Sequence, residues 1–269
     1  MQTQLKSYDT DLTDAQWEHI ATLIPKAQRR GRPLEHPRRS IVNAILYVVR
    51  AGCAWRLLPK TFAPWQTVYG YYRSWAKKGL WQTIHDRLRE AVRRQAGKKP
   101  SPTAAIMDSQ SVKTADHGGE RGYDAGKKVT GRKRHILVDT LGLILGLFIT
   151  SADVQDRDGA RGLLDPLVYA LGKLQIIWAD AGYLGELVAW VKALRPFGRL
   201  HLEVVKRPEQ RKGFHVVRKR WIVERTFGWF MKCRRLVRDY ERKTDHSKAM
   251  IHICMIGLML RRLEKSAQK

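Results

Sequence analysis

The sequence predicts an α/β fold in which an all-helical domain precedes a mixed sheet flanked by helices. Three observations support this prediction. The first hundred residues place apolar side chains at helical spacing. Residues 97–103 have the glycine, proline and serine content of a linker. From residue 104 onward, short apolar runs typical of strands alternate with segments whose apolar residues have helical spacing. We therefore predict a helical domain at residues 1–96 and an α/β domain at residues 104–269.

Four helices are predicted in the first domain. Thr13 and Gln16 have the spacing of a capping box, which predicts a helix that begins beside Thr13. Apolar residues at helical spacing predict three further helices, at Arg39–Ala51, Trp65–Lys77 and Trp81–Arg94.

The order of helix, tight turn and helix in a basic region favours a DNA-binding domain of the helix-turn-helix type. Residues 65–77 are then the expected recognition helix. The expected DNA contacts are its outward cations, Arg73, Lys77 and Lys78. A plain helical bundle with an aromatic core is the alternative, and the helical pattern alone does not exclude it.

The second domain is predicted to mix strands and helices. Strands are predicted near residues 104–108, 132–140, 143–150, 174–180 and 200–206. Helices are predicted near residues 159–171, 185–194, 218–233 and 247–263. Leu141 and Gly142 lie between the second and third of these strands and predict a hairpin turn, which Asp139 precedes.

A glycine-rich, charged stretch at residues 114–131 is predicted to be a mobile loop. Five cations in and beside it are candidate DNA-phosphate contacts: Lys127, Lys128, Arg132, Lys133 and Arg134. A solvated connection between two strands is the alternative for each of them. Three acids of this stretch are expected in solvent: Asp116, Glu120 and Asp124.

The composition favours nucleic acid as the partner. The chain carries 51 basic and 25 acidic residues, and its formal charge of +26 attracts polyanions. The 3 cysteines lack CxxC spacing, which argues against a disulfide framework or a zinc module. The longest apolar stretch, Leu141–Ile149, is too short to cross a bilayer. We expect a soluble, cytoplasmic protein with no membrane partner and no organic cofactor.

One acid interrupts the most basic segment of the chain. Between Gln210 and Arg238 there are ten lysines and arginines and a single acid, Glu224. A carboxylate there repels the polyanion that the cations attract, unless it holds a divalent metal at which a phosphodiester is cut. An i,i+4 ion pair with Arg220 is the alternative, and this segment alone does not decide between the two.

Two further acids, Asp108 and Asp180, each end an apolar predicted strand, where they can meet. Neighbouring carboxylates repel unless a proton or a metal lies between them, and magnesium prefers such oxygen ligands. Glu224 is expected to complete the set, because Trp221 and Phe227 predict a packed helix face that directs it inward. Three other acids precede a predicted helix and are expected to cap it or to interact with its dipole: Asp153, Asp156 and Asp158.

Several motifs carry a resemblance to a known family. They include AIMDSQSVK at 105–113, GYDAGKK at 122–128, GRKRH at 131–135, ADAGY at 179–183 and RWIVERTF at 220–227. Two N-terminal segments match as well, LTDAQW at 12–17 and RAGCAWRLLP at 50–59. Together they resemble bacterial insertion-sequence transposases of the DDE class, insertion sequence five family. The resemblance covers about residues 8–262.

The resemblance implies a ribonuclease H-like catalytic domain that brings Asp108, Asp180 and Glu224 together. These acids would hold two Mg²⁺ ions, for which Mn²⁺ substitutes, and Asp108 would bridge both ions. The implied activity is cleavage of DNA at the element ends and joining of those ends to target DNA. The implied phosphate contacts are Arg220, Arg225, Lys232 and Arg235. The family signature has a tyrosine and a lysine where this chain has Val217 and Met231.

The resemblance also implies a role for the helical domain, which would bind the terminal inverted repeats of the element as double-stranded DNA. It further implies a homodimer that acts at the bacterial nucleoid. A non-catalytic DNA-binding protein with the same fold is one alternative, and the intact set of three acids argues against it. A nuclease that cuts without joining is another, and it remains open because both reactions use the same site.

Overall fold

A computed structural model describes residues 8–26, 35–116, 119–194, 200–205 and 219–267. Its α-helices are α1 (Asp14–Ala21), α2 (Arg38–Ala51), α3 (Trp65–Lys77), α4 (Leu80–Gln95), α5 (Asp156–Leu164), α6 (Leu167–Ala170), α7 (Glu186–Ala193), α8 (Arg220–Met231), α9 (Arg234–Val237) and α10 (Thr244–Ala267). Its strands are β1 (Ala104–Lys113), β2 (Gly122–Asp124), β3 (Val129–Asp139), β4 (Ile144–Ser151), β5 (Ile176–Ala179) and β6 (His201–Val204). Short 3-10 helices are formed by Trp55–Leu57 and Ala181–Tyr183.

The chain divides into two compact units. The first unit contains α1–α4 together with α9 and α10 from Asp245, and the second contains the six strands with α5–α8. The N-terminal part of the first unit ends at Lys98, within the predicted linker at residues 97–103. The units differ from the predicted linear domains at the C-terminal end, because α9 and most of α10 belong to the first unit.

Hydrogen bonds explain why α10 belongs with the N-terminal helices. The predicted capping box at the start of α1 is present, since Thr13 and Gln16 bond reciprocally. Both side chains also donate to the carboxylate of Glu264 on α10, at 2.7 and 2.6 Å. Tyr72 of α3 donates its hydroxyl to the carbonyl of His246 at 2.9 Å. These contacts join residues far apart in sequence, so no local pattern predicts them.

Helix α3 has the bounds predicted for the recognition helix, Trp65–Lys77. Its buried side is formed by Val68, Tyr72 and Trp75. The three predicted DNA-contact cations are exposed: Arg73, Lys77 and Lys78. Among the helices that the structure describes, none has the length and apolar character that crossing a membrane requires.

The sheet of the second unit is mixed and has the order β2-β3-β1-β5-β6, with β4 paired to β3. β1 runs antiparallel to β3 and parallel to β5, which is parallel to β6. The strands that carry Asp108 and precede Asp180 are therefore neighbours, as the ribonuclease H-like fold requires. Helices α5 and α8 pack on this sheet, and the predicted α/β fold is confirmed.

The predicted hairpin between the second and third predicted strands is present as β3 and β4. Gly142 in its turn has a φ of +78°, a conformation that glycine adopts without steric cost. Asp139 accepts from the N–H groups of Leu141 and Leu143, at 2.8 and 2.9 Å. The expected place of Asp139 at this turn is therefore confirmed.

The stretch predicted as a mobile loop contains strand β2, which pairs with the start of β3. Asp124 at the end of β2 was expected in solvent, and that expectation is wrong because the residue is buried. Its carboxylate accepts from the Ser111 hydroxyl at 2.5 Å and from the Lys127 N–H at 3.0 Å. These bonds fold the β2–β3 connection onto β1.

Candidate active site

Asp108 and Asp180 lie close together because their strands are neighbours. The parallel register pairs Ile106 with Trp178, and each acid follows two residues later. Asp108 lies within β1 rather than at its end, since β1 continues along β3 to Lys113. Asp180 accepts from the N–H of Gly182 at 2.9 Å and so caps the 3-10 helix that follows β5.

Glu224 is carried by α8, one turn after the first residue of that helix. Lys219 precedes the helix with a φ of +76°, and its Nζ lies 3.3 Å from the ring centre of Trp178 on β5. The side chain of Glu224 is 51% exposed, and Trp221 is 43% exposed. The prediction that Trp221 marks a packed face is therefore wrong. The buried side of α8 is formed instead by Ile222, Val223, Thr226, Phe227 and Phe230.

The guanidinium of Arg220 joins all three acids. Its Nε lies 3.3 Å from Glu224 Oε1 and 4.0 Å from Asp108 Oδ2. Its Nη2 lies 3.4 Å from Asp180 Oδ2. The i,i+4 pair between Arg220 and Glu224 is thus present, and the same cation also reaches the two acids of the sheet. We call these four residues the carboxylate cluster.

The surroundings of Asp108 change its affinity for protons. Burial has the largest effect and raises the pKa of Asp108 to about 6. The nearby charge of Asp180 raises this pKa as well, whereas the N–H of Ser109 and the cations Arg220 and Lys127 lower it. A carboxyl group with a raised pKa in a cleft is characteristic of functional sites.

The carboxylate cluster fits a divalent metal in its chemistry. Three carboxylates already surround one cationic group, and carboxylate oxygens are the ligands that Mg²⁺ and Mn²⁺ prefer. Because the guanidinium lies between the three carboxylates, it holds them apart from one another. Within the described ranges, no group of three His, Cys, Asp or Glu residues has the spacing to hold an ion. The small cleft here is lined by Ile106, Met107, Asp108, Trp178, Ala179, Asp180, Val205 and Arg220.

Comparison with known proteins assigns this arrangement to a family. A family model described as "Transposase DDE domain" matches residues 99–260, which is more than half of the chain. This chain belongs to the DDE transposase family. A second model, described as "Putative transposase of IS4/5 family", matches residues 12–85 of the transposase. The resemblance to insertion-sequence transposases is therefore confirmed.

Curated relatives agree with this assignment. The "Putative transposase for insertion sequence element IS402" of Burkholderia cepacia is 32% identical over 146 residues, which cover 51% of this chain and 67% of that protein. The "Insertion element IS402 uncharacterized 16.2 kDa protein" of the same organism is 28% identical over 117 residues, covering 41% and 78% respectively. No solved structure matches the transposase significantly. As a family member, the transposase is a metal-dependent polynucleotidyl transferase with DNA as its substrate.

The transposase exposes only some of its predicted DNA contacts. Besides the three cations of the first unit, the exposed ones are Lys127, Lys128 and Lys232. Four predicted contacts are buried instead: Arg132, Lys133, Arg134 and Arg235. Arg132 donates to the carbonyls of Glu120, Glu241 and Arg242, and Arg235 donates to the carbonyl of Cys53. A buried side chain bonded to internal acceptors does not reach DNA, so these four assignments are corrected.

Arg225 has a different environment, between two aromatic rings. Its guanidinium lies 4.5 Å from the ring centre of Trp221 and 4.9 Å from that of Trp229. It also donates to the carbonyl of Leu141 at 3.0 Å. Partial burial lowers the pKa of this guanidinium, and the Asp139 charge opposes that shift. Arg225 thus connects α8 to the β3–β4 turn, and its role as a phosphate contact stays a prediction.

A second group of charges lies on the opposite face of β1, which we call the lysine cluster. It consists of Lys133, Asp124 and Asp156. Lys133 Nζ lies 3.1 Å from Asp156 Oδ1 and 3.6 Å from Asp124 Oδ2, and it donates to the Val154 carbonyl at 2.8 Å. Asp156 also accepts from the Ser109 hydroxyl at 2.8 Å. Gln155 is the N-cap residue of α5, so Asp156 does not cap that helix; Asp156 lies in its first turn instead, where the expected interaction with the helix dipole applies.

Proposed function

We propose that this transposase binds the terminal inverted repeats of an insertion sequence, cleaves the DNA at the element ends and joins those ends to target DNA. The observation that carries the proposal is the convergence of Asp108, Asp180 and Glu224 on one cation. Two of these acids come from neighbouring strands and the third from a helix, in the order that a DDE site has along the chain.

The three carboxylates of Asp108, Asp180 and Glu224 would hold two Mg²⁺ ions. When bound, such ions activate the attacking hydroxyl group and stabilise the leaving oxygen of a phosphodiester. Neighbouring strands keep Asp108 and Asp180 together. The half-exposed Glu224 side chain is free to adjust, because only its contact with Arg220 holds it among the described residues.

Cations near the acids are the proposed contacts of the DNA backbone. Lys127 is exposed, and its Nζ lies 3.3 Å from the carbonyl oxygen of Ser109, the residue after Asp108. Lys128 follows it in a left-handed conformation, with a φ of 53°. The β2–β3 connection therefore presents Lys127 close to Asp108, where it would attract a phosphate, and Lys128 is exposed beside it. Exposed Lys232 follows the end of α8.

The first unit is the proposed reader of the inverted repeats. Helix α3 exposes Arg73 and Lys77, and Lys78 follows it, so that one side of the helix is cationic. Such a surface suits the insertion of a helix into the major groove of double-stranded DNA. Because both ends of an element have to be brought together, we also propose a homodimer that acts in the bacterial cytoplasm at the nucleoid.

The proposal is tested by strand cleavage of a duplex that carries the DNA flanking the coding region. We expect Asp108→Asn, Asp180→Asn and Glu224→Gln each to reduce Mg²⁺-dependent cleavage about a thousandfold or more, as when members of a catalytic set are lost. Affinity for the duplex should stay nearly unchanged. Glu186→Gln, which removes an exposed carboxylate of α7, is the matched control and should cut normally.

Two outcomes would contradict the proposal. Normal cutting by any one of the three variants would remove that acid from the site. A wild-type protein that binds the duplex and never cuts it would be a non-catalytic DNA-binding protein. Joining is measured in the same reaction by transfer of the cut end into a target plasmid, because a protein that cuts and never joins is a nuclease.

A further inference from the structure

Arg220 differs from Arg132, a buried arginine of β3, in what holds it. Its three ion-pair partners are Asp108, Asp180 and Glu224, and no backbone carbonyl accepts from it among the described residues. Its side chain is 28% exposed. Arg132, in contrast, is buried and donates to three carbonyl groups. Arg220 can therefore leave its partners at little cost to the surrounding backbone.

The charges of the carboxylate cluster do not balance. One guanidinium faces three carboxylates, so the four residues together carry an excess of negative charge. Asp108 is largely buried, and leaving such a group beside Asp180 without a counter-ion is unfavourable. The Nε of the guanidinium faces both Asp108 on β1 and Glu224 on its own helix, and Nη2 faces Asp180, which directly follows β5. It thereby draws groups from three elements toward one point.

We propose that Arg220 is a positioning residue that acts as an internal counter-ion for the three acids and that divalent metal displaces it. This inference rests on the proposed metal-binding role of Asp108, Asp180 and Glu224. Before metal binds, the guanidinium gathers the acids and limits their repulsion. Metal and guanidinium favour the same oxygens, so each weakens the binding of the other. Once released, Arg220 is one turn from Glu224 and available to a DNA phosphate.

The possible roles of Arg220 predict different changes in metal affinity when its charge is removed. If Arg220 competes with metal, removing its charge strengthens metal binding, although it also removes the contact that gathers the acids. If Arg220 only shapes the site, removing it weakens metal binding. If its sole role is to contact DNA, metal binding in the absence of DNA does not change. The affinity for metal without DNA therefore separates the three roles.

The test is calorimetric titration of the DNA-free protein with Mn²⁺. We expect Arg220→Gln to lower the Kd for Mn²⁺ about tenfold, within the usual range for coupled sites. Arg220→Lys keeps a positive charge and loses the planar fork, so its Kd should lie between those of Arg220→Gln and the wild type. Arg161→Gln is the matched control, since Arg161 pairs with Glu186 and contacts none of the three acids; its Kd should equal the wild-type value.

A second measurement covers the case in which Arg220→Gln fails to fold. Thermal unfolding of Arg220→Lys should show a lower Tm than the wild type without metal and a larger rise in Tm with Mn²⁺. An unchanged or weaker Mn²⁺ affinity in both Arg220 variants would overturn the inference. Asp108→Asn tests the metal site itself. If Asp108→Asn loses Mn²⁺ binding while both Arg220 variants bind Mn²⁺ as the wild type does, the proposed function stands and only the competition between Arg220 and metal is wrong.

Discussion

The two faces of β1 carry two clusters of charged residues that differ in balance and exposure. The carboxylate cluster sets one guanidinium against three acids, and Glu224 is half exposed. The lysine cluster sets Lys133, whose side chain is 7% exposed, against two acids and a carbonyl. Strand alternation separates the clusters, since Asp108 points to one face of β1 and Ser109 and Ser111 to the other.

The difference shows how a structural and a functional cluster are told apart. In the lysine cluster, serine hydroxyl groups donate to both carboxylates, and burial fixes the geometry. In the carboxylate cluster, the acids outnumber the cation and a cleft opens beside them. A buried cluster whose carboxylates are hydrogen-bonded contributes to folding, whereas an accessible cluster with a larger excess of carboxylates is available to a cation.

The largest expected effect on stability comes from breaking the lysine cluster. Lys133→Met keeps the volume of the side chain and leaves Asp124 and Asp156 without their cation. We expect a loss of about 3 kcal/mol in the free energy of unfolding, the scale for breaking a buried pair. Urea denaturation measures it. The exposed pair of Arg161 with Glu186 is the comparison, and Arg161→Gln should cost less than about 1 kcal/mol.

This experiment also tests the corrected role of Lys133. A loss as small as that of Arg161→Gln would mean that Lys133 is not needed for folding, and its assignment as a DNA contact would have to be considered again. A large loss in the free energy of unfolding, with the same dependence on urea concentration as in the wild type, would agree with an internal role for Lys133.

A smaller effect is expected from pH, through His135 on the same face as the lysine cluster. The pKa of His135 is lowered from 6.5 to about 4, chiefly by burial; the Asp156 charge opposes this shift, and the charges of Lys133 and Lys127 add to it. The folded protein therefore keeps His135 neutral where the unfolded chain binds a proton. Stability from this group is present above pH 6.5 and is lost as the pH falls toward 4.

Between pH 7 and pH 5, we expect His135 to account for about 2 kcal/mol of lost stability. Urea denaturation of the wild type and of His135→Gln at both pH values measures the contribution. The variant is expected to be less stable at pH 7 and to lose less on acidification. Equal losses in the two proteins would show that His135 is protonated in the folded state and that this face is less buried than described.

The sequence predicted the features that depend on local patterns. Apolar runs placed the strands on either side of the hairpin turn, and the helix Trp65–Lys77 has its predicted bounds. Asp108 and Asp180 were predicted to meet because each ends an apolar predicted strand, and the structure brings them together on one guanidinium. The role of the acids as metal ligands stays a prediction.

Features that depend on tertiary packing were not predictable in this way. The run Arg132-Lys133-Arg134 has the composition of an exposed basic patch, yet β3 is a central strand whose two faces are both covered. The burial of these cations depends on partners as distant as Asp239. The contacts of Arg220 with Asp108 and Asp180 likewise join residues that no local spacing connects. The apolar run Ile136–Val138, separated from the basic triplet by His135, was the one local signal of a central strand.

The central claim is that Asp108 on β1, Asp180 just after β5 and Glu224 on α8 together hold the divalent metal ions. Metal-directed cleavage of the protein itself tests this claim most directly. Fe²⁺ replaces Mg²⁺ at sites of oxygen ligands, and with ascorbate and peroxide it cuts the nearby polypeptide, so that mass spectrometry identifies the cut positions. We predict cuts near Asp108, Asp180 and Glu224 that excess Mg²⁺ and the Asp108→Asn substitution both suppress. Cuts confined to other segments, or none in α8, would contradict the claim.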